Sequence, residues 1–516
     1  MGRDSPKQAD FDYEEFMKDA RQAFCPFTPI ELIEKFKGRE EIQSRFIDEI
    51  ASPGRHIILY GDRGVGKTSF ANVSPFYAKR NLDLVFHVSC YSHSTFSSIF
   101  CEVLNKMGHS EVETQRKVSN KKSLTTGKLP GLGLSQSKNI DNHYEPLVDP
   151  KKINPETVVS YISSTDATII IDEYDRINDK LANEGLAETI KKLSDTRSNA
   201  KIIVVGVGTS ASDLIQRHPS IERCCAQIKM PRMSRPEMNE ILSEAENTPG
   251  LTISKSAADQ IIYVSDGFPH FVHLLGLYTC EAFARRYQEG RKTSVESINS
   301  KSLYAQPEDV ATAVKLSIAS CESSLANNFH DAVISKGKED TNRVSILEAV
   351  ALGSEIEVKI KELGYNLRLI DGSKEFSLNK IQAHITQLSR GEGQSILQRI
   401  MPGVCKFRDP RMRAYIRLLI NQKRPELLTG QLKLPYFDDN EDDSLFNAIQ
   451  RNLIADLFVR IPSHTAESIT YTQEFDVLRD EFNRRTGLKA THNEIWKQLQ
   501  NLRKSGRFSD RAVDSH

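Results

Sequence analysis

The sequence has no excess of charge in either direction: 69 lysines and arginines stand against 69 aspartates and glutamates. That balance excludes the overall basic footprint with which many nucleic-acid-binding proteins gather phosphates, and leaves only local patches for that role. Cysteine is sparse and scattered. Of the eight (25, 90, 101, 224, 225, 280, 321 and 405), none forms a CxxC pair. Neither a zinc ribbon nor the disulfide framework of a small secreted domain fits, and reduced thiols in a cytoplasmic protein are the expectation. No run of about 18 apolar residues occurs, so no membrane span is expected. The start, MGRDSPKQADFDYEEF, is charged where a secretory signal would be apolar.

What is present is ordinary in bulk and specific in detail. A chain of 516 residues, 39% apolar and 27% charged, has the composition of a globular protein of several domains. Short apolar runs at His56–Tyr60 (HIILY), 83–90 (DLVFHVSC), Thr168–Ile171 and 202–207 (IIVVGV) read as buried strands. Helix-period segments alternate with them, among them FKGREEIQSRFIDEI from Phe36, 94–107 and 184–195. Buried strands alternating with helices predict an α/β doubly wound parallel sheet.

The expected organisation follows from shifts in composition. Residues 1–30 form a polar leader and 31–230 the α/β core, with a Gly/Ser/Lys-rich insertion over 109–150. Helices take over in a lid, 231–298, opened by a capping box at Ser234–Glu237. Residues 299–422 read as a winged-helix-like domain and 423–445 as an acidic linker. Residues 446–516 are a helical C-terminal domain with a candidate helix-turn-helix. There a second capping box, Thr491–Glu494, opens a helix with Ile495, Leu499 and Leu502 on one face, beside Trp496.

Gly61-Asp62-Arg63-Gly64-Val65-Gly66-Lys67-Thr68 matches GxxxxGK[ST] in full, after an apolar strand and before a helix. The glycines let successive amides turn inward on phosphates, and the helix start adds its dipole. Lys67 is expected on the β- and γ-phosphates, Thr68 on Mg2+, and Ser69 beside them. About 100 residues on, Thr168-Ile-Ile-Ile-Asp172-Glu173 delivers two acids to the carboxyl edge of the sheet. Asp172 is expected to hold the metal's water shell and Glu173 to deprotonate the attacking water. No NKxD-type segment follows a later strand, which favours ATP over GTP.

At this point the chain resembles the AAA+ ATPases and the neighbouring STAND ATPases, closest to the origin-recognition and archaeal or bacterial STAND-like branch. The resemblance spans about 25–420 and rests on FKGREE (36–41), GDRGVGKT (61–68), IIIDEYD (169–175), VVGVGTS (204–210), SIER (220–223) and GFPHF (267–271). It implies an ATP-hydrolysing core with a helical lid. Phe36 and Gly38 would lie at the adenine, or else pack a helix entry on the core. Thr209, with Ser210 as the alternative, would sense the γ-phosphate. Arg223, or Arg217, would reach a neighbouring subunit's ATP, so the chain would act as a homo-oligomer. Pro269 and His270 of the lid would touch the nucleotide; many relatives carry arginine where His270 stands.

Two functions are compatible with that core. One is a nucleotide-dependent switch that recruits or senses a partner protein through the C-terminal domains, as in stress or antiphage defence. The other is an ATP-dependent DNA-binding loader, initiator or transposition-type regulator. Arg408, Arg411, Arg413 and Arg417 in FRDPRMRAYIRLL would then meet DNA phosphates, or instead dock an acidic face of the same protein. Arg503, Lys504 and Arg507 pose the same question at the C-terminus. No nuclease, protease or other effector constellation is apparent.

Overall fold

A computed structural model of the protein describes residues 11–111, 153–208, 210, 223–293, 303–335, 337–353, 355–370, 376–390, 395–425, 446, 448–459, 473–486, 488 and 490–504. Nearly all of the 109–150 insertion and of the acidic linker therefore lies outside the described residues. The chain divides into two compact units. One comprises 30–62 and 67–231; the other comprises 1–29, 63–66 and 232–516.

The first unit is built on β1 (His56–Gly61), β2 (Val85–Ser89), β3 (Thr168–Asp172), β4 (Lys201–Val207) and β5 (Cys225–Met230). They form one five-stranded sheet in the order β2-β3-β4-β1-β5, every pair parallel. The three central strands carry continuous apolar runs (Ile57–Leu59, Ile169–Ile171 and Ile202–Val205) because helices cover both faces, and every residue of β3 is buried. The outer strands alternate instead; β5 buries Ala226, Ile228 and Met230 and exposes Gln227 and Lys229. Helices α2 (Glu40–Ala51), α3 (Lys67–Tyr77), α4 (Phe96–Glu111), α5 (Pro155–Ile162) and α6 (Lys180–Asp195) complete the layers. Asn154 caps α5 at the Thr157 amide and Asp179 caps α6 at the Leu181 amide, satisfying donors a helix start leaves free. This is the α/β architecture of P-loop NTPases, as the alternating pattern predicted.

The second unit is mostly helical. Where the sequence shows only a polar leader, Tyr13–Ala23 forms helix α1, capped by Asp12. Its buried stripe, Phe16, Met17 and Ala20, gives the reason, and Phe16 packs on Phe283 of the Pro269–Thr293 helix at 5.8 Å between ring centroids. The Ser234–Glu237 capping box is formed and opens the Arg235–Asn247 helix. Gly276 lets the two segments approach closely: a Cβ there would stand 2.5 Å from the Phe24 ring.

Within 303–423, the Leu378–Leu388 helix precedes a hairpin, Leu397–Met401 with Val404–Phe407, which a short third strand at Val358–Lys359 extends. The Met412–Lys423 helix follows. The last helices, Ala448–Val459, Gln473–Thr486 and His492–Lys504, share a core of Ile454, Phe475, Phe482, Ile495 and Leu499. The Thr491–Glu494 capping box is formed there as well.

Candidate nucleotide site

Parallel strands place their carboxyl ends on one edge, and ligands of such sheets bind there. Register aligns Gly61 with Val207 across β1 and β4, and Ser89 with Asp172 across β2 and β3. The end of β1 and the acid ending β3 therefore lie at one edge although some 100 residues separate them in sequence. The Thr68 hydroxyl lies near enough to the Asp172 carboxylate to favour its ionised form.

Lys67 is buried, and its ammonium donates to the carbonyls of Gly61 at 3.2 Å and Asp62 at 2.8 Å. Gly64 takes φ +86°, a conformation side chains disfavour. In its own unit, a Cβ at Gly64 would lie 3.1 Å from Arg411 Cδ, so the position has no room for one without adjustment. Ser69 accepts from the Ile30 amide at 3.0 Å, which ties the segment before α2 to the nucleotide-loop helix.

Asp172 is nearly fully buried. Burial opposes its ionisation, but the polar hydrogens of His87 and Thr68 and the Glu173 amide outweigh it and hold the carboxyl below the usual range. The Glu173 amide donates at 2.7 Å. His87 Nε2 stands 3.7 Å from the other carboxylate oxygen, beyond hydrogen-bond length, so it acts mainly through polarity. A hydroxyl and an ionised carboxylate are the hard oxygen donors that Mg2+ takes alongside waters and phosphate oxygens, so the residues fit that ion. Among the described residues no group of three or more His, Cys, Asp or Glu forms a separate metal site.

Glu173 follows in the left-handed region, φ 55° and ψ 33°, and leads into a 3-10 turn, Tyr174–Arg176. Asp175 of that turn accepts from the Val207 amide at 2.8 Å, joining the acidic turn to the end of β4. The sequence contains Asp175 in IIIDEYD, yet nothing in the motif announces this tie. His87 was legible only as a polar residue inside an apolar strand.

The remaining expected residues fall in several places. Phe36 packs on Phe70 of α3 with centroids 5.9 Å apart, and the Gly38 carbonyl accepts from Gln43. Arg223 is exposed at the start of β5, with Asp195 at 3.4 Å. Thr209 and Arg217 lie outside the described residues; Ser210 is described, just past β4. Pro269 and His270 belong to the helical unit. Pro269 Cγ lies 3.6 Å from where a Cβ of Gly66 would be. His270 Nδ1 donates to the Pro26 carbonyl at 2.9 Å. Burial lowers the His270 pKa despite that bond, which disfavours the charged ring, whereas an arginine there would be permanently charged.

The arginine cluster resolves toward its intramolecular alternative. Arg413 and Arg417 are buried and both pair with Asp266, a residue with no exposed side-chain surface, which Arg232 also meets. Arg411 is buried between Asp409 and Glu322. Arg408 donates to Ser395. The guanidiniums of Arg411, Arg413 and Arg417 satisfy carboxylates and carbonyls of the same chain, whereas Arg408 stays exposed. Arg507 lies outside the described residues.

The sheet order and the phosphate loop define a P-loop α/β protein. No protein-family model matches the chain, and no curated protein does. Among solved structures, it is similar to a Walker-type ATPase of Pyrococcus abyssi (14% identity, 76% of this chain and 99% of that one, TM-score 0.43). It is similar also to the ORC2 protein of Aeropyrum pernix (12%, 80% and 99%, TM-score 0.41) and to the RuvB Holliday junction branch migration motor of Thermotoga maritima (13%, 74% and 96%, TM-score 0.35). These are likenesses of outline at low identity; the fold assignment rests on the chain's own strand order and loop.

Proposed function

We propose that this chain binds ATP with Mg2+, hydrolyses it, and uses its nucleotide state to switch assembly and partner recruitment, as an AAA+ or STAND-like ATPase. The observation that carries the reading is the nearness of the Thr68 hydroxyl to the Asp172 carboxylate, together with a buried Lys67 ammonium resting on the Gly61 carbonyl at the end of β1. These are the three groups phosphoryl transfer needs fixed: two oxygen donors for the metal and one cation for the phosphates. Mg2+ supplies charge neutralisation at the phosphates when bound. Glu173 takes a proton from the attacking water, whose oxygen forms the bond to the γ-phosphorus while the bond to the ADP oxygen breaks. Arg223, exposed and carried at a strand start, is available to a neighbouring copy, where its permanent charge and forked donors suit phosphate oxygens.

Between the two roles, the internal pairing of Arg411, Arg413 and Arg417 favours the switch. It takes these three arginines out of the patch on which the DNA reading drew, and ties the Met412–Lys423 helix to Asp266 instead. The test is nucleotide binding and phosphate release by the full chain and two variants. Lys67→Ala is expected to lose ATP binding, and Glu173→Gln to keep binding while losing turnover. Unchanged phosphate release by Glu173→Gln would remove it as the base. Unchanged ATP binding by Lys67→Ala would remove the site.

A further inference from the structure

Residues 232–233 and the turn at 266–268 are fastened to each other in four ways. The Met233 amide donates to the Gly267 carbonyl at 2.8 Å. Gly267 holds φ +78°, and a Cβ there would stand 2.7 Å from Arg232 Cβ and 2.9 Å from the Met233 carbonyl oxygen. The two backbones therefore meet with no room for a side chain. The Arg232 guanidinium lies over the Phe268 ring, 4.6 Å from its centroid. It also pairs with Asp266, whose side chain has no exposed surface.

The turn has partners on two further segments. Phe268 Cδ1 and Pro269 Cγ stand 3.6 Å from where Cβ atoms of Gly64 and Gly66 would be, so the turn lies against the glycines of the phosphate loop. Asp266 holds the Met412–Lys423 helix. Its Oδ2 accepts from Arg413 Nε at 2.8 Å as well as from Arg232, and its Oδ1 accepts from Arg417 at 3.0 Å and from Arg413 Nη2. One carboxylate thus serves three guanidiniums, and the helix docks through charges that are costly to leave buried once that carboxylate moves. A displacement of about 1 Å takes hydrogen bonds of this length out of range.

We propose that residues 232–233 and 266–269 form a relay that carries nucleotide occupancy of the phosphate loop to the Met412–Lys423 helix. Asp266 is the contact that releases the helix, and Arg232 is the residue that keeps the turn and the segment leaving β5 in one piece. This rests on the switching role proposed above and gives it a mechanical route. A ligand shifts such an equilibrium only by binding its two states differently, and the contact of the loop with Phe268 and Pro269 supplies the difference.

The experiment follows hydrogen exchange over 407–423 in the full chain, with and without ATP and Mg2+, beside the Kd of a fluorescent ATP analogue. In the wild type, ATP is expected to raise exchange over 407–423 by about fivefold or more. In Arg232→Ala that ATP-dependent rise is expected to fall below about twofold, with Kd and nucleotide-free exchange close to wild type. Arg232→Lys, which keeps the charge, is expected to recover part of the rise. A full rise in Arg232→Ala overturns the proposal and leaves the switching role intact. Nucleotide-free exchange in Arg232→Ala as fast as in Asp266→Asn overturns it too, because Arg232 would then merely support the helix. Absence of any ATP-dependent change in a wild type that binds the analogue overturns both the relay and the switching role.

Discussion

Replacing Asp266 by asparagine keeps the shape of a fully buried side chain and removes its charge. In the native protein that carboxylate faces Arg413, Arg417 and Arg232. Burial opposes its ionisation, yet the three guanidiniums pull the carboxyl down from 3.8 to about 2. Breaking a buried pair by neutralising one partner costs roughly 3–5 kcal/mol, because the opposite charge stays buried without compensation. Here the arginines keep part of their hydrogen bonding: Arg417 donates to the carbonyls of Ala351, Tyr263 and Gly353, and Arg413 to that of Glu355. The lower end, about 3 kcal/mol, is therefore expected, or roughly a hundredfold in the local opening constant.

Hydrogen exchange by mass spectrometry reads that loss where it occurs, in peptides covering 255–293 and 407–423, without requiring the whole chain to unfold as one unit. The pH dependence supplies an internal check. A carboxyl whose folded pKa lies below its unfolded value stabilises above the unfolded value and loses that contribution as pH falls through the folded one. The wild type is thus expected to lose protection in these peptides between about pH 4 and pH 2, a loss of on the order of 2 kcal/mol, and Asp266→Asn is expected to lack that step. A decrease in protection below about tenfold in Asp266→Asn, with the acid step retained, would refute the assignment of Asp266 as the charge that holds the turn before the Pro269–Thr293 helix to the Met412–Lys423 helix.

Further outcomes can be measured independently. His273 accepts from the Cys25 amide through Nδ1, and burial, followed by the neighbouring His270, lowers its pKa to about 4. Because the folded value lies below the ordinary 6.5, docking of residues 11–29 is expected to weaken as pH falls from about 6.5 toward 4, by roughly 2–3 kcal/mol at the lower end. Proteolysis or exchange over 11–29 that is indifferent to pH would contradict it. Gly276→Ala forces a methyl against the Phe24 ring and is expected to cost about 1–3 kcal/mol, read as faster exchange over 11–29, with Phe24→Leu in the same chain recovering part of it. Sizing of Glu173→Gln in ATP is expected to show a homo-oligomer whose formation or turnover depends on Arg223; a monomer at every nucleotide state would remove that role. If DNA is the partner, a salt series should show affinity falling steeply and reduced by changing the exposed Lys380 and Arg399 together. Absence of binding at low salt would remove DNA.

Much of the first unit was legible because its signals are local. Apolar β-branched runs, a glycine loop of fixed spacing and a helix start are each properties of a few consecutive residues, and they gave the strands, the cradle and Asp172. Both capping boxes were legible for the same reason. The strand at Cys225–Met230 was not, since an edge strand exposes alternate residues and CAQIKM carries only a weak apolar run. The N-terminal helix was hidden by its charge: Glu14, Glu15, Lys18, Asp19 and Arg21 read as a polar leader, while the stripe of Phe16, Met17 and Ala20 has meaning only against the Pro269–Thr293 helix.

The arginines near 411 show most clearly where sequence stops. Four arginines in ten residues state a local positive charge, and nothing in that segment says where the negative charge is. Asp266 lies some 150 positions away, and Glu322 some 90. Burial and pairing are properties of three-dimensional neighbours, so only the tertiary structure could show Arg411, Arg413 and Arg417 buried against carboxylates of the same chain. The sequence by itself determined that a phosphate-binding loop follows a buried strand and that two acids end another. The tertiary structure decided that Thr68 lies near Asp172, that Glu173 is paired with Arg176, and that His270 is bonded to Pro26.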